Sequence, residues 1–196
     1  PLHSTAMSFD VAIVGAGYVG VPLAQVFAEA GKSVVLLDVS QSRVDALMRG
    51  ESYIEDVPSE KLAELVKSRG LRATTDYDVL RETDAILIAL PTPLSRQREP
   101  DLTIVLSAAE QIGARLRKGH LVVLESTTYP GTTREEVLPI LERISGLVAG
   151  TDFHLAFSPE RVDPGRVDWT TKTVPKVVGG IDEASTEAAA ALYGAA

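Results

Sequence analysis

Val11-Ala12-Ile13-Val14-Gly15-Ala16-Gly17-Tyr18-Val19-Gly20 is the stretch on which the fold turns. Four apolar residues, three of them β-branched, predict a short buried strand. The next six fit G-x-G-x-x-G, and an apolar helical pattern follows from Val19 to Ala30. Strand, glycine turn and helix in that order are what a phosphate-binding turn requires. Gly15 permits the tight turn, Gly17 lets a pyrophosphate approach the backbone, and Gly20 lets the helix pack on the strand. The helix N-terminus then offers N–H groups and the positive end of its dipole to the phosphates. Such a turn alone is a weak signal. Here a second apolar run, Ser33 to Leu37, ends at Asp38, eighteen residues after Gly20. An acid at that place accepts hydrogen bonds from the adenosine ribose, and its charge would repel a 2′-phosphate. NAD is therefore expected over NADP. The competing reading is a glycine turn in an α/β protein that binds no nucleotide, with Asp38 capping the next helix. Arg43, five residues on, could stack on the adenine or flank the ribose, or be a solvated helix residue.

Outward from this unit the same alternation repeats. Apolar runs lie at Ala85 to Ala89, Leu121 to Leu124 and Phe153 to Phe157, with a weaker one at Leu71 to Thr74. Near-continuous apolar runs suit strands buried on both faces of a parallel sheet. Helical stretches are expected over Ser40 to Arg49, Ser59 to Arg69, Leu102 to Arg117 and Thr133 to Ile144. Each is followed closely by a glycine that can stop it: Gly50, Gly70, Gly119 and Gly146. The fold class expected is α/β: a Rossmann-type, doubly wound, mostly parallel sheet of six or more strands with helices on both faces. Two loops rich in proline and charge, Pro91 to Pro100 and Ser158 to Pro175, follow strand ends, where open α/β sheets bind ligands.

Composition narrows the partners. The chain has 196 residues, no cysteine and a net charge of −8. Disulfides, cysteine–zinc sites and a thiol nucleophile within this chain are excluded. Acidity argues against nucleic acid, and no apolar run is long enough to span a bilayer. A cytoplasmic location is expected. His3, His120 and His154 are scattered, so no metal site is expected. Pro1 to Ala6 reads as a tag or leader before Met7. The expected division is a leader or tag over 1–7 and a cofactor domain over 8–196.

Three further segments carry a resemblance. They are Pro91-Thr92-Pro93, Glu125-Ser126-Thr127-Thr128-Tyr129-Pro130-Gly131-Thr132-Thr133, and Phe157-Ser158-Pro159-Glu160-Arg161-Val162-Asp163-Pro164-Gly165. With the glycine turn they resemble the N-terminal NAD-binding domain of the UDP-glucose/GDP-mannose dehydrogenase family, from Phe9 to Gly180. With GESYIEDV at 50–57 and PKVVGG at 175–180, they look most like the UDP-N-acetylglucosamine 6-dehydrogenase branch. The resemblance implies oxidation of a UDP-sugar primary alcohol to the carboxylate with two NAD, in polysaccharide biosynthesis, by a homodimer or larger assembly. It implies cofactor contacts at Gly15, Gly17, Tyr18, Val19, Gly20, Asp38, Arg43, Pro91, Thr92, Ser126 and Thr127. Thr127 also matches a threonine that positions a catalytic water. Glu160 matches a glutamate that assists proton transfer at the sugar, and Arg161, Val162 and Asp163 match a segment whose backbone holds substrate. A second glutamate of UDP-glucose dehydrogenases falls here on Pro164.

The bland readings stand beside these. Alcohol oxidation needs a proton acceptor as hydride leaves, and Glu160 at a strand end could serve. It could equally cap a loop or pair with Arg161 at the surface. Ser126 and Thr127 could be a plain cap and turn before the helix near Thr133. Trp169 is expected to anchor its loop. By the resemblance the family's second oxidation runs through a cysteine, which this chain lacks, and its central and C-terminal sugar-binding domains are expected to be absent here. The chain is therefore expected to be a truncated cofactor domain. The rival classes are a stand-alone NAD-binding regulatory module, against which the Ser158-Pro159-Glu160 loop speaks, and a methyltransferase or unrelated dehydrogenase with a similar turn.

Overall fold

The computed structural model describes residues 8–94, 100–160 and 174–196. Six parallel strands form the sheet: β1 (Phe9–Val14), β2 (Val34–Leu37), β3 (Leu71–Thr74), β4 (Thr83–Ile88), β5 (Leu121–Leu124) and β6 (His154–Phe157). A two-residue strand, β7 (Gly179–Gly180), adds antiparallel to β6. The order is β3-β2-β1-β4-β5-β6-β7. The chain starts in the middle of the sheet, winds out to β3, then returns and winds the other way. The crevice between β1 and β4 is therefore the topological switch point where such sheets bind ligands.

Strand periodicity builds two cores from one sheet. Successive side chains point to opposite faces. Val11, Ile13, Val34, Leu36 and Leu87 join one buried cluster; Ala12, Val14, Val35, Leu37 and Ile88 join the other. Against the first pack α1 (Gly20–Glu29), α2 (Gln41–Met48), α3 (Ser59–Lys67) and α6 (Glu183–Gly194), through Phe27, Leu47, Leu62 and Ala189. Against the second pack α4 (Thr103–Gly113) and α5 (Leu138–Ser145), through Val105, Ile112 and Leu141. The expected strands and helices are all present, with helices on both faces.

Three departures have local causes. The fourth helix ends at Gly113 rather than Arg117. The Arg115 and Leu116 N–H groups donate three residues back, to Ile112 O and Gly113 O, and the buried ring of His120 then takes the Arg117 N–H at Nδ1 (3.0 Å). The helix expected from Thr133 begins as a wide π turn, Thr132–Val137, before α5. Pro139 has no N–H to donate back to residue 135, so the α ladder cannot run unbroken through this point. Gly70 does not stop α3; Arg69 takes the left-handed conformation itself (φ 63), whereas Gly31, Gly50, Gly119 and Gly146 do turn left-handed. Residues 1–7, read as a leader, and Trp169 lie outside the described residues. Among the described residues, no helix is long and apolar enough to cross a membrane.

Candidate cofactor and active site

Because β1, β2, β4, β5 and β6 run parallel, their carboxyl ends share one edge. Backbone bonds lace the loops there. Gly15 N–H donates to Leu37 O, Ala89 N–H to Val14 O, Ser126 N–H to Ile88 O and Ser158 N–H to Leu124 O. Gly15 has φ 110, and a Cβ on it would lie 2.4 Å from the Ala89 carbonyl oxygen. A Cβ on Gly20 would lie 1.8 Å from the Gly15 carbonyl oxygen. Both glycines are demanded by the fold. Gly17 is different: a Cβ there would meet nothing within 4 Å. The space over Gly17 is open at the carboxyl edge of the sheet. No side chain caps α1 and no acid lies in its first turn.

Asp38 closes the turn from the side. It is 8% exposed. Its Oδ2 accepts from Ala16 N–H and its Oδ1 from Ser40 N–H, both at 2.9 Å. The cap of α2 is Ser40, whose Oγ accepts from Arg43 N–H. Asp38 is thus not that helix's cap. Arg43 does not stand free in solvent: Nη1 is 3.5 Å from Asp38 Oδ2, and the guanidinium lies 5.8 Å over the Tyr53 ring. Beside Asp38 a cleft of about 300 Å³ opens between the ends of β1 and β2 and helix α4. Val14, Leu37, Tyr77, Leu90, Ile104 and Ala108 give it largely apolar walls. Tyr18 is exposed and Val19 partly so on the rim of the turn.

Across the switch point, Thr92 Oγ1 donates to Thr127 O at 2.5 Å, joining the loops after β4 and β5. Pro91 and Thr127 are exposed beside this bond. Ser126 is buried; its Oγ accepts from Leu90 N–H (3.0 Å) and donates to Ile88 O (3.2 Å). Neither Ser126 nor Thr127 caps the following helical segment, whose cap is Gly131. Glu160, at the end of β6, has a side chain only 10% exposed and lies 3.6 Å from Lys176 Nζ. It is not a surface carboxylate. Its neighbours Arg161, Val162 and Asp163, with Pro164, lie outside the described residues.

Under Glu160 is a cluster to which the sequence reading gave no role. Glu125, fully buried, receives Lys176 Nζ at 2.8 Å and the Tyr193 hydroxyl. Burial pushes the Glu125 carboxyl up, although Lys176 and then Tyr193 pull it back. Burial, and after it Glu125, pushes the Tyr193 phenol well up. The quoted ESTTYPGTT begins with this glutamate. A carboxylate directly after a four-residue buried strand is the signal that could have marked it. Tyr53 had no such local signal, since its partner Ala16 is 37 residues away. Among the described residues, no three His, Asp or Glu gather as a metal site.

Comparison with known proteins gives the family. Residues 9–196 match the model of the UDP-glucose/GDP-mannose dehydrogenase family, NAD binding domain. The chain is 40% identical to protein CapL of Staphylococcus aureus over 174 residues, 89% of this chain and 40% of that one. It is 38% identical to UDP-N-acetyl-D-glucosamine 6-dehydrogenase of Pseudomonas aeruginosa, covering 93% of this chain and 42% of that one. Among solved structures, the NDP-N-acetyl-D-galactosaminuronic acid dehydrogenase of Methanosarcina mazei Go1 superposes with a TM-score of 0.88 at 38% identity, over 95% of this chain and 42% of that one. The chain thus spans less than half the length of these relatives. With that match over residues 9–196, the chain belongs to the UDP-glucose/GDP-mannose dehydrogenase family, as its NAD-binding domain.

Proposed function

We propose that this chain is the cofactor half of a nucleotide-sugar 6-dehydrogenase. Its substrate would be UDP-N-acetylglucosamine or a related UDP-hexose, taken from primary alcohol to carboxylate in two oxidations. Water supplies the second carboxylate oxygen. A full-length enzyme with sugar-binding domains, assembled as a dimer or more in the cytoplasm, belongs to the same reading. The relatives named above support the substrate class.

The observation that carries the reading is the space over Gly17 beside the clasped Asp38. NAD, when bound, supplies the hydride acceptor. The chain's own residues do the rest. Gly15, Gly17, Tyr18, Val19 and Gly20 would hold the pyrophosphate against the start of α1, and Asp38 with Arg43 would meet the adenosine ribose. The apolar cleft at Leu90 and Ile104 suits a flat base. Pro91, Thr92, Ser126 and Thr127 form the wall along which the nicotinamide end would lie, with Thr127 also positioning water. Glu160, held by Lys176 at the edge of this wall, would accept the hydroxyl proton. Arg161, Val162 and Asp163 would hold the sugar nucleotide.

Calorimetric titration with both cofactors tests the reading. The Asp38 carboxylate should favour NAD over NADP by roughly tenfold to a hundredfold, the worth of a hydrogen bond to a charged group. Equal or tighter binding of NADP would remove Asp38 from the ribose.

A further inference from the structure

Tyr53 lies in the loop between α2 and α3, within the GESYIEDV stretch, and reaches across to the glycine turn. Its hydroxyl donates to the carbonyl oxygen of Ala16 at 2.7 Å. The other end of the same residue is already held, since Ala16 N–H donates to Asp38 Oδ2 at 2.9 Å. In a planar trans peptide the C=O and the following N–H point in opposite directions. Drawing the Ala16 carbonyl toward Tyr53 therefore turns the Gly17 N–H away from it. Gly17 is also the one residue of the three motif glycines with open space around it. The Tyr53 ring has a second task, beneath the Arg43 guanidinium at 5.8 Å, while Arg43 pairs with Asp38.

We propose that Tyr53 is a positioning residue for the dinucleotide: it locks the Ala16–Gly17 peptide so that the Gly17 N–H is presented to the pyrophosphate. This rests on the NAD reading above. Without that lock the peptide would have to be ordered when the ligand arrives, which costs affinity. The proton needed for the bond is secure. Burial, and after it the Asp38 carboxylate, pushes the Tyr53 phenol up to about 12, with Arg43 opposing. The hydroxyl stays a donor across the neutral range. A tyrosine that merely packs would need no polar contact with the turn, and Phe would serve as well.

Tyr53→Phe separates these. It keeps the ring under Arg43 and deletes the bond to Ala16. Three ligands are titrated against the wild-type chain and the variant: NAD and ADP-ribose by calorimetry, and adenosine, which has no pyrophosphate, by NMR. NAD and ADP-ribose should weaken by about fivefold or more, the worth of one neutral hydrogen bond. Adenosine should be unchanged, and the Gly17 amide resonance should move in the ligand-free protein. Tyr53→Ala should weaken adenosine as well, because Arg43 loses its platform. The inference fails if Tyr53→Phe binds NAD as the wild type does, or if it loses NAD and adenosine by the same factor, which is general damage. A wild-type chain that binds no NAD overturns the cofactor reading itself, and this inference with it.

Discussion

At the scale of single residues, the three motif glycines are not equivalent, and substitutions should separate them. Gly17→Val adds a branched side chain where the protein has no atom within 4 Å. The fold should survive with its melting temperature nearly intact while NAD binding is lost. Unchanged NAD affinity in that variant would end the reading of Gly17 as a pyrophosphate contact. Gly20→Ala does the reverse: its Cβ would fall 1.8 Å from the Gly15 carbonyl oxygen, so the turn must move. Overpacking of this kind costs about 1–3 kcal/mol, to be read from urea denaturation. A variant as stable as the wild type would contradict the close approach. His120 gives a pH-dependent case. Its buried ring accepts the Arg117 N–H at Nδ1 and so must donate from Nε2 to Thr83 O, 2.9 Å away, as the neutral form. Burial, then Arg117, pushes it down to about 4. Its folded value lies below its unfolded one, near 6.5, so its contribution is whole above 6.5 and lost as pH falls from there toward 4. Between pH 6.5 and 5.5 the wild type should lose about 1 kcal/mol that a His120→Gln variant does not lose. Equal losses in the two would show that the ring titrates normally.

At the scale of elements, the loops after β5 and β6 and the helix α6 are tied by charges inside the protein. Glu125 on the first loop is fully buried against Lys176, and Tyr193 of α6 donates to the same carboxylate. Lys176→Met should leave that carboxylate uncompensated, at a cost of about 3–5 kcal/mol. Glu125→Gln added to it should recover much of the loss. A single variant with unchanged stability would show that the pair contributes little. Elements of this sheet were easy to read because their signals are local: apolar runs for strands and glycines after helices. The site was partly legible for the same reason, since Gly15 to Gly20, Asp38 and Glu160 each stand at a strand end. What escaped reading depends on distance along the chain. Nothing near Tyr53 announces Ala16, 37 residues away, and nothing near Lys176 announces Glu125, 51 residues away. β7 escaped because two glycines carry no strand pattern and pair only because β6 offers an open edge.

At the scale of the whole molecule, binding and turnover should separate. This chain has no cysteine to carry a covalent intermediate. It also spans less than half of its relatives. Incubated with NAD and UDP-N-acetylglucosamine, UDP-glucose or UDP-N-acetylmannosamine, the purified chain should bind cofactor yet form no NADH by absorbance. Steady NADH formation would overturn the account of Glu160 and Thr127 as half of a divided site. The order of the sheet also has a meaning in time. Of the strands of this sheet, β1 is made before the others and lies at the middle of the finished sheet, between β2 and β4. Its partner on one side follows promptly, with Val11 opposite Val34, but on the other side Val11 waits for Ala85. Until that residue is synthesised, β1 shows an unpaired edge of the kind that recruits stray strands, and the turn at Gly15 lacks the Ala89 backbone against which it is fitted. The cofactor turn is thus begun early in the chain and completed only when β4 and Ala89 have been made.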